Sequence, residues 1–329
     1  MRAARCFLSS LVLCSLACDT AQTPAGIGTA TGTITYSAPS SEVHALDLAT
    51  HTDKKLLDDA ESVDRFGDGR LLFMDYSDGV AAPAKLTIAA ADGSGKRQIA
   101  TPGTSVAYYN PTASPDGSKI AMTYYPRGFA HKLAAKDGTV VLDTNGAVVG
   151  NLENVFDPAW LPDGRLVLSG TVSVPSGSSD AKPTETPKAA GLFVSDAAFT
   201  TVTPIAGVTG SPQHPSGSRD GTRVAFARDG DVFTVGIDGT GLAQVTSGDP
   251  VESYPAFSPV GASLAMASSG FYSGAAKLVN VLIITAARPA QPVVLKDPDP
   301  ATDIAPRDNA ALSDSVAGRI SLTQRLTWR

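Results

Sequence analysis

Residues 110–125 read N-P-T-A-S-P-D-G-S-K-I-A-M-T-Y-Y. A short segment runs into an Asp-Gly reversal, and a second segment rich in β-branched and aromatic residues returns from it. Asp116 and Gly117 suit a tight hairpin of type I′, whose two central positions both need φ > 0. Pro111 and Pro115 cannot donate to a strand ladder, which places them as brackets around the first strand. The pattern recurs: residues 157–168 read D-P-A-W-L-P-D-G-R-L-V-L, and residues 254–266 read Y-P-A-F-S-P-V-G-A-S-L-A-M. Looser copies stand at 65–73 (R-F-G-D-G-R-L-L-F) and 218–226 (S-R-D-G-T-R-V-A-F).

The turn glycines are Gly69, Gly117, Gly164, Gly221 and Gly261, with a degraded candidate at Gly318. Asp68, Asp116, Asp163 and Asp220 precede the first four, whereas Val260 precedes Gly261. The spacing is about 40–57 residues, and a period near that length with several short strands per unit marks a β-propeller of four-stranded blades. A third strand follows the hairpin at 231–237, D-V-F-T-V-G-I, then D-G-T-G, and 86–95 repeats that order. Six units of roughly 45 residues fill the chain. The expected fold is all-β, a six-bladed propeller of antiparallel four-stranded blades. Its first blade begins at 33–57 and is completed by strand residues from the C-terminus, the sequence not selecting which C-terminal strand, a closure that removes exposed sheet edges.

The pattern x-P-x-[WF]-S-P-D-G-x-x-[IV]-A-[FM], followed by a D-[IV]-[FY]-x-[VM]-like strand and D-G-x-G, resembles the TolB-like family of six-bladed propellers. The likeness covers most of 32–319 and concerns the propeller alone, since no small α/β domain precedes it. The resemblance implies a binding rim on a rigid frame. It also implies an alternative, because six-bladed propellers host metal-dependent, lactonase-like hydrolases in their central channel.

Residues 1–17 read as a signal peptide, with Arg2 and Arg5 ahead of a short apolar core at 7–16. That core is too short to be read as a membrane span. All three cysteines, Cys6, Cys14 and Cys18, fall in the first 18 residues, so the exported body has no disulfide framework. Residues 15–18, S-L-A-C, resemble a bacterial lipobox and make Cys18 the expected lipidation site. Residues 18–31 read as a flexible tether and 32–329 as the propeller. The expected address is the envelope of a Gram-negative-type bacterium, with the chain membrane-anchored and facing the periplasm or the cell surface.

The formal net charge is −6. It grows more negative once Arg2 and Arg5 leave, which argues against nucleic acid as a partner. None of the four histidines, His44, His51, His131 and His214, stands at a metal-ligand spacing from another, and no cofactor is expected. Residues 261–265, G-A-S-L-A, lack the last glycine of a nucleophile elbow, and no histidine follows them. Residues 92–96, D-G-S-G-K, lack the first glycine of a phosphate loop and read as a turn. Asp297, Asp299 and Asp303 lie in a proline-stiffened loop without EF-hand spacing. The repeated turn aspartates, one per blade, belong to turn geometry and not to acid–base chemistry. The inner strands offer Glu61, Asp64, Asp157, His214 and Glu252 near their starts, and His214, Asp157 and Glu252 are kept as channel candidates. The leading expectation is a monomeric, non-enzymatic lipoprotein whose rim binds an envelope protein or a small ligand. The irregular segments 174–188, 271–277 and 296–309 are expected to border that surface.

Overall fold

The computed structural model of the chain describes residues 31–38, 41–50, 52–79, 84–99, 106–126, 138–170, 190–248, 251–269, 272–273, 276–277, 281–295 and 325–329. The leader, Cys18, nearly all of the tether, the excursion at 174–188, the segment 296–309 and Gly318 lie outside the described residues. Among the described residues every regular element is a strand.

Six sheets form the blades of a closed ring. Blade 2 runs outward through Ala60–Arg65, Leu71–Asp75, Lys85–Ala89 and Arg97–Gln98. Blade 3 comprises Val106–Ala113, Lys119–Pro126, Gly138–Asp143 and Val148–Glu153. Blade 4 comprises Phe156–Trp160, Leu166–Ser169, Leu192–Ser195 and Val202–Pro204, and blade 5 Gln213–Gly217, Arg223–Arg228, Asp231–Gly236 and Ala243–Gln244. Blade 6 pairs Val251–Phe257, Ser263–Ser269 and Val281–Ala286, while Val293–Leu295 leaves it to pair in parallel with Thr246–Gly248. Blade 1 takes its three outer strands, Thr33–Ala38, Glu42–Asp47 and Thr52–Leu57, from the start of the propeller. Its inner strand, Leu326–Trp328, comes from the other end of the sequence and lies against Ile34–Tyr36. This is the expected closure, now with its strand identified.

The core is not one mass but six apolar layers, one between each adjacent pair of blades. Val43, Val63, Leu71 and Phe73 fill the layer between blades 1 and 2. Leu326, Trp328, Ile34 and Ala265 fill the layer between blades 6 and 1. Because the middle strands are covered on both faces, they read as continuous apolar runs, as in the fully buried Leu71–Asp75. Outer strands lose one neighbour, and Arg97–Gln98 is exposed.

The inner hairpins differ from the type I′ expectation. Each glycine N–H donates to the carbonyl three residues earlier, for example Gly117 to Ser114 and Gly164 to Leu161, both at 3.0 Å. Only the glycine is left-handed, at φ +90° in Gly69, +75° in Gly117, +82° in Gly164 and +70° in both Gly221 and Gly261. The reversal is therefore a longer turn closed by a left-handed glycine, the G1-bulge arrangement. The preceding carboxylate accepts the backbone N–H two residues on: Asp68 from Arg70, Asp116 from Ser118, Asp163 from Arg165 and Asp220 from Thr222. Hydrogen bonds from Ser114 and Ser118 hold the Asp116 carboxyl at about 2. Val260 makes no such bond and is 85% exposed, yet its turn survives because the φ > 0 demand falls on Gly261. Pro111 also departs from expectation. It lies inside Val106–Ala113, at a bulge where the register to the second strand slips between Tyr109 and Thr112.

Candidate functional site

That bulge recurs in five inner strands. The register slips between Glu61 and Asp64, Tyr109 and Thr112, Phe156 and Ala159, Gln213 and Ser216, and Ser253 and Ala256. Within each slip one residue that is not glycine takes a left-handed backbone: Ser62 at φ +53°, Asn110 at +49°, Asp157 at +50°, His214 at +50° and Tyr254 at +52°. Such a conformation costs on the order of 1–3 kcal/mol, least for Asn and Asp and more for bulky side chains such as His and Tyr. A proline follows four of the five and fixes the next φ. The sixth inner strand, Leu326–Trp328, is preceded by Arg325.

Asn110, Asp157, His214, Tyr254 and Arg325 meet at one mouth of the central channel. Asn110 donates from Nδ2 to Oδ1 of Asp157 at 2.7 Å, and the His214 backbone N–H faces Oδ2 at 3.5 Å. The Asp157 backbone N–H is tied to Thr123 Oγ1 at 2.9 Å, which fixes the carboxylate from behind. The His214 and Tyr254 rings lie 3.9 Å apart, centroid to centroid, tilted by 34°. Arg325 donates to the Pro158 carbonyl at 2.7 Å and so reaches across to blade 4. Burial lowers the His214 pKa, with Asp157 opposing the shift and Arg325 reinforcing it. Burial likewise raises that of Tyr254. The pair is therefore a neutral imidazole stacked on a neutral phenol. His214 Nδ1 is buried and has no hydrogen-bond partner.

Below this mouth the channel opens into a cavity of about 240 Å³. His214, Tyr254 and Arg325 line it with Trp160, Trp328 and Phe257, and Arg219 and Arg329 line it too. Asp64, the one acidic side chain of the lining, is saturated. It accepts from Thr112 Oγ1 at 2.6 Å, Ala113 N at 3.0 Å, Thr327 Oγ1 at 2.6 Å and Arg65 N at 2.7 Å. It therefore latches the C-terminal inner strand to blades 2 and 3.

Of the three residues singled out from the sequence, Asp157 and His214 come together at the mouth. Glu252 does not join them: it is 1% exposed and accepts from Thr246 Oγ1 at 2.9 Å and Ser268 Oγ at 2.8 Å, outside the cavity lining. Burial raises its pKa to about 7. Asn110, Tyr254, Arg325, Arg219 and Arg329 escaped the sequence reading. The signal for the first two was the variable residue before the repeat's proline, which aligns with Asp157 and His214. Among the described residues no group of three or more His, Cys, Asp or Glu side chains is placed to hold a metal ion.

No family model matches the sequence, and no curated protein is matched by it. Solved structures do resemble the fold. TolB from Acinetobacter baumannii shares 15% identity over 78% of this chain, with a TM-score of 0.57, and the match covers 61% of that protein's length. The putative TolB from Agrobacterium tumefaciens shares 16% over 79% of this chain and 86% of its own, at 0.54. A gluconolactonase from Xanthomonas campestris shares 19% over 71% and 78%, at 0.51. Identities this low establish a common fold and no common function.

Proposed function

From a chain that folds as a TolB-like six-bladed β-propeller, we propose a non-enzymatic binding protein of the bacterial cell envelope, held to a membrane by a lipid on Cys18. The rim around the channel mouth docks an envelope protein or a small ligand. One observation carries this reading: four strained residues, Asn110, Asp157, His214 and Tyr254, and with them Arg325, supplied by five different blades, converge on a single opening. Strain of this kind persists where the frame over-determines it, and it concentrates at sites of recognition. The ring offers a fixed polar surface and little sign of chemistry. His214 makes no side-chain hydrogen bond to a hydroxyl or thiol among the described residues.

Crosslinking and affinity capture from envelope membranes test the proposal, using the wild-type chain beside His214→Ala and Tyr254→Ala variants of unchanged melting temperature. The crosslinked species should disappear in both variants. An identical pattern in all three would remove the channel mouth as the binding site.

The lactonase-like alternative draws its weight from the likeness to the gluconolactonase fold. Metal analysis of the purified chain separates the two, because the binding reading expects no stoichiometric calcium or zinc.

A further inference from the structure

Opposite the mouth, at the hairpin end of the channel, two arginine side chains line the cavity of an acidic protein. In three blades the residue before the turn aspartate, or before its replacement Val260, is proline: Pro115, Pro162 and Pro259. Blade 5 has Arg219 at that position. Arg329 follows directly on the inner strand of blade 1, which brings it to the same end. Arg219 and Arg329 both line the cavity, where burial and then the Arg329 guanidinium disfavour the charge of Arg219. Neither forms an ion pair with a carboxylate among the described residues. Arg329 Nη2 donates to the Arg65 carbonyl at 2.8 Å, while its Nε is buried with no hydrogen-bond partner. Arg65, the third cation here, is already committed to Thr35 Oγ1 and to the Gly69 carbonyl. Asp64 cannot balance them through direct contact, because four donors occupy its carboxylate.

The two ends of the channel differ in this respect. Arg325 shares the mouth with Asp157, and both charges act on His214 and Tyr254. Arg325 and Arg329 stand four residues apart on an extended segment, roughly 13 Å at 3.3 Å per residue, so they serve different parts of the cavity. The lining arginines without an ion-pair partner among the described residues belong to the hairpin end.

We propose that the hairpin end of the channel is an oxyanion site, in which Arg219 and Arg329 hold the carboxylate or phosphate group of a small organic molecule. Paired guanidinium groups present forked donors that match such a group, and the bonds are charge-assisted. Trp160, Phe257 and Trp328 in the same lining offer apolar surface to the rest of the molecule. The inference rests on the binding reading above and deepens it by naming a ligand class. A net charge of −6 gives the surface no general attraction for anions, so any selectivity must arise locally.

The chain supplies its own probe, because its two tryptophans, Trp160 and Trp328, both line the cavity. Fluorescence of the full chain is titrated with inorganic phosphate, benzoate and the neutral isostere benzamide, at ionic strength matched with sodium chloride. The expected result is a saturable change with benzoate or phosphate and none with benzamide. Whichever anion acts identifies the group. Arg219→Gln should weaken the response roughly tenfold, and Arg219→Lys should recover part of it. Arg219→Pro, which restores the repeat, guards against loss of folding and should behave as Arg219→Gln. An equal response to benzamide would overturn the oxyanion site while leaving the cavity a binding site. Silence from every probe, or a response indifferent to Arg219, would overturn the proposal without touching the crosslinking result at the mouth.

Discussion

Glu252 shows how a single buried residue couples this fold to pH. Its carboxyl sits within blade 6 with two hydroxyl donors and no cation, and burial raises its pKa from 4.5 to about 7. An acid whose folded pKa lies above its unfolded value is bound to more protons in the folded state between the two. Stability is therefore full below about pH 4.5 as far as this group is concerned, and falls as pH rises through 7. The loss amounts to ~3 kcal/mol at one unit per 1.36 kcal/mol. Glu252→Gln keeps the shape and removes the titration. Urea denaturation at pH 5 and pH 8 should show a variant that gains relative to wild type at pH 8 and little at pH 5. The same pH dependence in both proteins would assign the effect elsewhere. At this scale the sequence was legible for the turns. Gly117 and its counterparts do occupy φ > 0, whereas Asp116, expected there too, serves the turn through its carboxylate. The left-handed backbones of Asn110, His214 and Tyr254 were not read from the sequence, because a bulge arises from pairing against a neighbouring strand and its one local mark is the proline that follows each of them.

At the scale of elements the telling piece is the three-residue strand Leu326–Trp328. It is too short to be stable alone and has Ile34–Tyr36 as its one ladder partner. Two other contacts hold it: the apolar layer around Trp328, and the bond from Thr327 Oγ1 to Asp64. Asp64→Asn places an amide N–H among four donors and should cost about 2–4 kcal/mol. Thr327→Val should cost on the order of 1 kcal/mol. If the carboxylate is the latch, the double variant will lose less than the sum of the two, as expected for partners in one network. Chemical denaturation measures all three, and strictly additive losses would mean that Asp64 stabilises its own blade and not the closure. The repeat also explains five turns for six blades: blade 1 joins two distant strands and has no inner hairpin to encode.

For the molecule as a whole, the six inter-blade layers make a rigid frame, and the proposed anchor would set where that frame works. The thiol of Cys18 is the expected lipid acceptor, and acyl chains contribute about 0.8 kcal/mol per buried CH₂. Cys18→Ala should move the protein from the membrane fraction to the soluble fraction or stall it as precursor, read by fractionation and by mass spectrometry of the N-terminus. An unmodified terminus formed elsewhere would remove the lipid and leave the propeller's own chemistry unaffected.

By itself the sequence determined the propeller, its count of blades and its closure by strands from both ends. Those follow from a local rule repeated at intervals: left-handed glycine at the turn, apolar strands on either side, about 45 residues per unit. It also brought Asp157 and His214 forward, because each sits at the start of an inner strand. Tertiary structure alone decided which residues share the channel. Asn110, Tyr254, Arg325, Arg219 and Arg329 are far apart in the chain, and none is unusual in its own neighbourhood. They become a site only when six inner strands are wrapped around one axis, which brings equivalent positions of distant repeats face to face. Glu252 stands two residues ahead of Tyr254, before the bulge, and pairs instead with Thr246 and Ser268.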